Sequence, residues 1–157
     1  MAYHLRALVA ESPLLAALAK TAPGTRVVEL TKELSLLPLT AQAEAAVPGK
    51  DAAGPFPGLN VSAKLVAWAA SGSKGGTLAY IEADYGAGKD YQAAVVWENG
   101  DVNAGPWKDG TAWDPREDAR ERPVNGALRL LGVRHGGEFN DEWDAVALAR
   151  HSETEAW

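Results

Sequence analysis

The chain has 157 residues, no cysteine, six tryptophans and a formal net charge of −6 at pH 7. That length suits a single domain, and 46% hydrophobic with 23% charged residues is ordinary globular composition, which excludes a disordered, collagen-like or disulfide-framed protein. No stretch approaches the roughly 18 uninterrupted apolar residues of a membrane-spanning helix, and the acidic balance argues against nucleic acid as a default partner.

In chain order, Met1–Arg6 lacks the basic-then-apolar pattern of a secretion signal, so the expected location is the cytoplasm. Tyr3–Ala10 alternates Leu5, Ala7 and Val9 against His4, Arg6 and Leu8, as an opening strand would. Ser12-Pro13 reads as a cap and first residue of a helix running to about Thr21, ended by Pro23-Gly24. β-branched residues at Thr25, Val27 and Val28 predict a second strand over Thr25–Leu30. A turn at Thr31–Glu33 then leads to a third, Leu34–Leu39. Thr40 is placed to cap a short helix, Ala41–Val47.

Pro48–Leu59 holds too many prolines and glycines for regular structure and reads as a loop within the domain. Leu65, Val66, Trp68 and Ala69 recur at helical spacing over Asn60–Ser71, with Asn60 or Ser62 as cap. Two strands follow, Thr77–Asp84 and Tyr91–Glu98. Asn99-Gly100, in which both residues tolerate positive φ, then predicts a tight hairpin into Asp101–Trp107. This gives a central three-stranded antiparallel meander. Lys108–Glu121 is polar and turn-rich. A helix opens at Arg122-Pro123 and closes at Gly132, and Asn140 or Asp141 caps a last one that turns Trp143, Val146 and Ala147 or Leu148 to the core.

The chemistry-bearing residues give few motifs. The absence of cysteine removes thiol catalysis, iron–sulfur clusters and cysteine-ligated zinc. His4, His135 and His151 do not stand at a metal-binding helical spacing, and no nucleophile elbow occurs. Tyr85–Lys89 has glycines and a lysine, but it joins strand to strand and so fails the geometry of a phosphate-binding loop. No cofactor is therefore expected. Period two puts Glu82 and Asp84 on one face of their strand, about 7 Å apart. Such a pair serves acid–base chemistry or a divalent cation, or simply faces water.

Trp68, Trp97 and Trp143 fall on predicted elements and are assigned to the core. Trp107 and Trp113 bracket the loop Lys108–Ala112, either folded beneath it or exposed as a protein-binding pair. Acidic residues gather nearby. Residues 1–78 hold seven basic and five acidic side chains, residues 79–157 eight and sixteen. Asp114, Glu117, Asp118 and Glu121 alternate with Arg116, Arg120 and Arg122, the pattern of a solvated, salt-bridged segment or of a contact surface.

Tyr80-Ile81-Glu82-Ala83-Asp84-Tyr85-Gly86-Ala87-Gly88, followed by Gln92–Gly100, is similar to a group of small acidic single-domain bacterial proteins. In them a Tyr-x-Glu-x-acid-Tyr strand meets a glycine-rich tip and an alanine-rich strand ending Trp-x-x-Gly. Pro123–Val133 and Asp141–Arg150 extend the likeness to about half of the chain, while Gly86-Ala87 departs from the aromatic-glycine expected at the tip. Such proteins resemble the immunity partners of bacterial polymorphic toxins.

The expected fold is α+β, an antiparallel sheet with helices packed mainly on one face. The resemblance implies a non-enzymatic domain that blocks a basic toxin by occlusion, its acids steering and its aromatics holding the partner. Asp84, Tyr85, Asp90, Trp107, Trp113, Asp114, Glu117 and Asp118 are the expected contact residues. The alternative is a small hydrolase or ligand-binding protein built on Glu82 and Asp84.

Overall fold

The computed structural model describes residues 2–86, 88–109 and 122–157. Its strands are β1 (Tyr3–Glu11), β2 (Val28–Glu29), β3 (Leu34–Pro38), β4 (Thr77–Gly86), β5 (Lys89–Glu98) and β6 (Asp101–Lys108). They form one six-stranded sheet in the order β2-β3-β1-β4-β5-β6, with every neighbouring pair antiparallel. The helices among the described residues are α1 (Ser12–Ala19), α2 (Ala41–Ala46), α3 (Ala63–Gly72), α4 (Pro123–Leu130) and α5 (Glu142–Ala145). The fold is α+β. No helix among the described residues is long and apolar enough to cross a membrane.

Strand alternation divides the core in two. Leu8 and Ala10 of β1, Leu78 and Tyr80 of β4, and Val95 and Trp97 of β5 face α1 and α3, meeting Leu15, Leu65 and Trp68. Val47, just after α2, joins that layer. Leu5, Ala7 and Val9, with Ala79, Ile81, Ala94 and Val96, face the opposite way and pack under Val124, Ala127 and Leu128 of α4, Ala145 of α5, and Trp157. The three N-terminal helices thus form the larger layer, and the C-terminal pair a smaller one. Because β4 and β5 are covered on both sides, their sequences read as nearly continuous apolar runs rather than strict alternation.

The meander β4-β5-β6 turns at Asn99-Gly100, with φ of 51° and 90°, as a primed two-residue hairpin requires. Thr40 caps α2 by accepting from Ala43 N at 3.0 Å, and Ser62 caps α3 by accepting from Leu65 N at 3.2 Å. Asn60 is not the cap; it serves the sheet, as described below. Glu11 rather than Ser12 occupies the cap position of α1, without a side-chain bond. The Ser12 hydroxyl is drawn instead to Ser35 Oγ at 2.7 Å, tying the helix to β3.

Two other expectations shrink. The strand foreseen over Thr25–Leu30 survives only at Val28–Glu29, because Thr25 Oγ1 donates to Ala22 O at 2.8 Å and keeps its residue in the turn after α1. The last helix is a single turn capped by Asp141. Ala147, at φ 61°, breaks it and starts a short 3-10 turn at Leu148–Arg150. The tail then returns to β1: His4 N donates to Ser152 O at 2.7 Å and Arg6 N to Thr154 Oγ1 at 3.2 Å. These bonds satisfy the part of β1 that lies beyond its register with β3, which begins at Ala7.

Candidate partner-binding site

Strand pleat places the foreseen contact residues on different sides of the sheet. On β4, Asp84 points with Tyr80 and Glu82 toward the α1–α3 layer, while Tyr85 points with Ile81 and Ala83 toward α4 and α5. Asp84 pairs with His4 of the neighbouring strand, Oδ2 to Nδ1 at 3.5 Å. Tyr85 is enclosed by aromatics, its ring 5.9 Å from Tyr3 and 6.4 Å from Trp143, with Tyr3 and Trp143 themselves 5.3 Å apart. Trp143 is half-buried, so its core role is shared with this cluster.

Arg122, just before α4, binds this side together. Its Nε donates to Asp109 Oδ2 at 2.7 Å, its Nη2 to Asp90 Oδ1 at 3.1 Å, and its guanidinium lies 5.2 Å over the Tyr85 ring. Burial alone would lower the Arg122 pKa, yet the Asp109 hydrogen bond, with Tyr85 and Asp90, raises it overall. Asp90 is therefore half-buried in a structural ion pair rather than projecting freely to a partner.

Gln92 completes the join. Its Nε2 donates to the Tyr85 hydroxyl, its Oε1 accepts from Val124 N at 3.1 Å, and its own N–H donates to Asp109 Oδ1 at 2.6 Å. One buried amide so fixes β4, β5, the end of β6 and the start of α4.

Trp107 stands beside this network. Its pairing with Ala94 puts it on the same side of the sheet, and it remains 37% exposed. Its ring lies over α4 at Gly126, where a Cβ would meet ring carbon Cζ3 at 3.6 Å. Leu130, 44% exposed, is the other exposed large apolar residue of this surface among the described residues. Between β6 and α4 runs a groove of about 830 Å³, walled by Ala104, Pro106, Trp107, Pro123, Gly126 and Leu130, with Lys108, Asp109, Arg122 and Arg129 supplying charge. Of the foreseen residues, only Trp107 lines this groove; Tyr85 and Asp90 lie on the same side of the sheet against Arg122, and Asp84 is on the other face. Trp113, Asp114, Glu117 and Asp118 lie outside the described residues.

Glu82 has a different occupation from that of a solvated carboxylate. It is fully buried. Its Oε1 accepts from the Tyr80 hydroxyl at 2.5 Å and from Asn60 N at 3.2 Å, with Arg6 Nε 3.9 Å away. Arg6 also reaches Glu44 and the Asn60 carbonyl, and Asn60 Nδ2 donates to the Tyr91 hydroxyl at 3.4 Å. Lys108 Nζ donates to Gly58 O at 2.8 Å. The carboxylate thereby anchors the proline- and glycine-rich loop to the sheet. The Glu82 and Asp84 side chains share a face, as their spacing foretold, but each has its own cation or donor set.

Among the described residues no three His, Asp or Glu side chains gather as a metal site would need. The roles of Arg6, Gln92, Asp109 and Arg122 were missed from sequence. A signal existed for two of the buried groups: Glu82 and Gln92 interrupt strands that are otherwise apolar on both faces. Comparison with known proteins finds no matching family model, no similar curated protein and no similar solved structure.

Proposed function

We propose that this chain is a non-enzymatic protein-binding domain, and that it acts in the cytoplasm as the immunity partner of a bacterial toxin, which it blocks by occlusion. The observation that carries this reading is the groove between β6 and α4, where Trp107 is held by Gly126 yet open to solvent beside Leu130. Tryptophan in such a position supplies much contact area for little lost side-chain freedom and dominates many interfaces.

The network beneath it supports the same reading. Arg122, Asp90, Asp109 and Gln92 fix both walls of the groove, so a partner meets a preformed surface and little ordering is left to offset its affinity. The concentration of acidic residues in the second half of the chain suits a basic partner through long-range steering. The likeness of the Tyr80–Gly88 and Gln92–Gly100 segments to small acidic bacterial proteins that resemble toxin-immunity partners suggests the class of the partner.

The test is co-expression in bacteria of this chain with the protein it captures from its host. The captured protein alone should arrest growth, and the chain should restore it. Growth unaffected by the captured protein alone would refute the immunity role while leaving protein binding intact.

A further inference from the structure

A second cavity adjoins the groove on the far side of α4, sharing Arg129 and Leu130 with it. It has a volume of about 630 Å³, and Val133, Arg134, His135, Gly136 and Glu142 complete its lining. Glu142, on α5, is only 3% exposed. Its Oε1 faces Arg129 Nε at 3.7 Å, an ion-pair distance too long for a good hydrogen bond. Its Oε2 is buried and has no hydrogen-bond partner among the described residues. A buried carboxylate oxygen left without a donor is costly, and native structures retain one where something else supplies that donor.

The neighbouring groups define what that something is. His135 Nδ1 lies 2.8 Å from Gly136 O and 3.2 Å from Phe139 O. Both partners are carbonyl oxygens, so Nδ1 carries the proton. Glu142 and the His135 ring line the same cavity. Arg134 is exposed and gives one N–H to Val133 O at 3.3 Å, and a guanidinium has further donors to offer. Leu130 and Val133 add an apolar flank. The cavity therefore asks for a ligand with a multi-donor cationic end, an acceptor-only anionic end and an apolar body. A simple cation would meet two arginines, and a simple anion would meet Glu142.

We propose that this cavity binds a free α-amino acid with an apolar side chain, its ammonium on Glu142, its carboxylate on Arg134 and its side chain against Leu130 and Val133. This site is independent of the partner reading above. It deepens the chain's role by adding a small-molecule input next to the docking groove.

The test is a nuclear magnetic resonance titration of the full chain, following backbone amides, with L-leucine, isocaproate and isoamylamine as separate probes. The latter two keep the carbon skeleton and lack the amine or the carboxylate. Leucine should shift amides across Arg129–Glu142, and each analogue should bind about tenfold more weakly or worse, as expected for loss of a charge-assisted hydrogen bond. Glu142→Gln and Arg134→Ala should each weaken leucine binding by a similar factor. Arg134 is exposed, so that variant reports on binding even if Glu142→Gln does not fold. No leucine shifts, isocaproate binding as tightly as leucine, or full binding by Arg134→Ala would overturn the proposal.

Discussion

Three polar side chains, two buried and one partly so, hold this molecule's parts in register: Glu82, Gln92 and Arg122. Each sits at a junction that backbone hydrogen bonding alone does not make. Glu82 anchors the Pro48–Leu59 loop and the residue following it through Asn60 N, Tyr80 and Arg6. Removing it would leave the Tyr80 hydroxyl and the Asn60 N–H without their acceptor in a dry site. Glu82→Ala should therefore cost about 2–6 kcal/mol, roughly 1–3 kcal/mol for each of two buried donors left unsatisfied. Chemical denaturation measures that loss, and hydrogen exchange should show Asn60 N–H losing protection. Glu82→Gln keeps the accepting oxygen and should lose less.

At the scale of elements, α4 is the one whose composition serves the surface. Gly126 lies in its interior, where glycine weakens a helix, but it gives Trp107 a flat seat. A Cβ there would sit at ordinary contact distance from the ring, 3.6 Å from Cζ3. Gly126→Ala should thus stabilise the chain by up to about 1 kcal/mol, read as a raised denaturation midpoint. A destabilised variant would mean that the ring packs tighter against the helix than described.

Elements set by near neighbours were legible in the sequence: the Asn99-Gly100 hairpin, the Thr40 cap, the Ser62 cap and the helix opening at Pro123. Elements set by distant contacts were not. Nothing local says that β1 lies between β3 and β4, or that the C-terminal tail completes its open stretch. Ser12 shows the limit most clearly. Its sequence context favours a cap, but a hydroxyl on β3 stands closer and wins. Trp107 was foreseen as a surface candidate, whereas the Arg122 network that shapes its groove depends on side chains from three separate segments.

For the whole molecule, a two-sided sheet leaves its tyrosines buried, as Tyr80 is, or half-buried, as Tyr3, Tyr85 and Tyr91 are. All four have raised pKa values, and burial is the largest cause in each. For Tyr3 the neighbouring Tyr85 adds to it, for Tyr80 the charge of Glu82, and for Tyr91 a hydrogen bond to Glu82. The folded chain holds these protons at a pH where the unfolded chain releases them. Their contribution is fully present below about pH 10, the free tyrosine value, and is lost progressively above it. Thermal midpoints should fall steeply past that pH, and tyrosinate absorbance should rise together with unfolding. Tyrosinate appearing in a still-folded chain near pH 10 would contradict the burial of these rings.

The whole-molecule claim is that a rigid, amphipathic groove centred on Trp107 docks a protein. The most direct measurement is side-by-side capture from host lysate with wild-type chain and Trp107→Ala, eluted across a salt gradient after circular dichroism shows both folded. One stoichiometric basic protein, retained by the wild type to high salt and absent from the variant, is the predicted result. Equal retention by the folded variant would place docking elsewhere on the surface, and no retained protein in either arm would contradict the docking role itself.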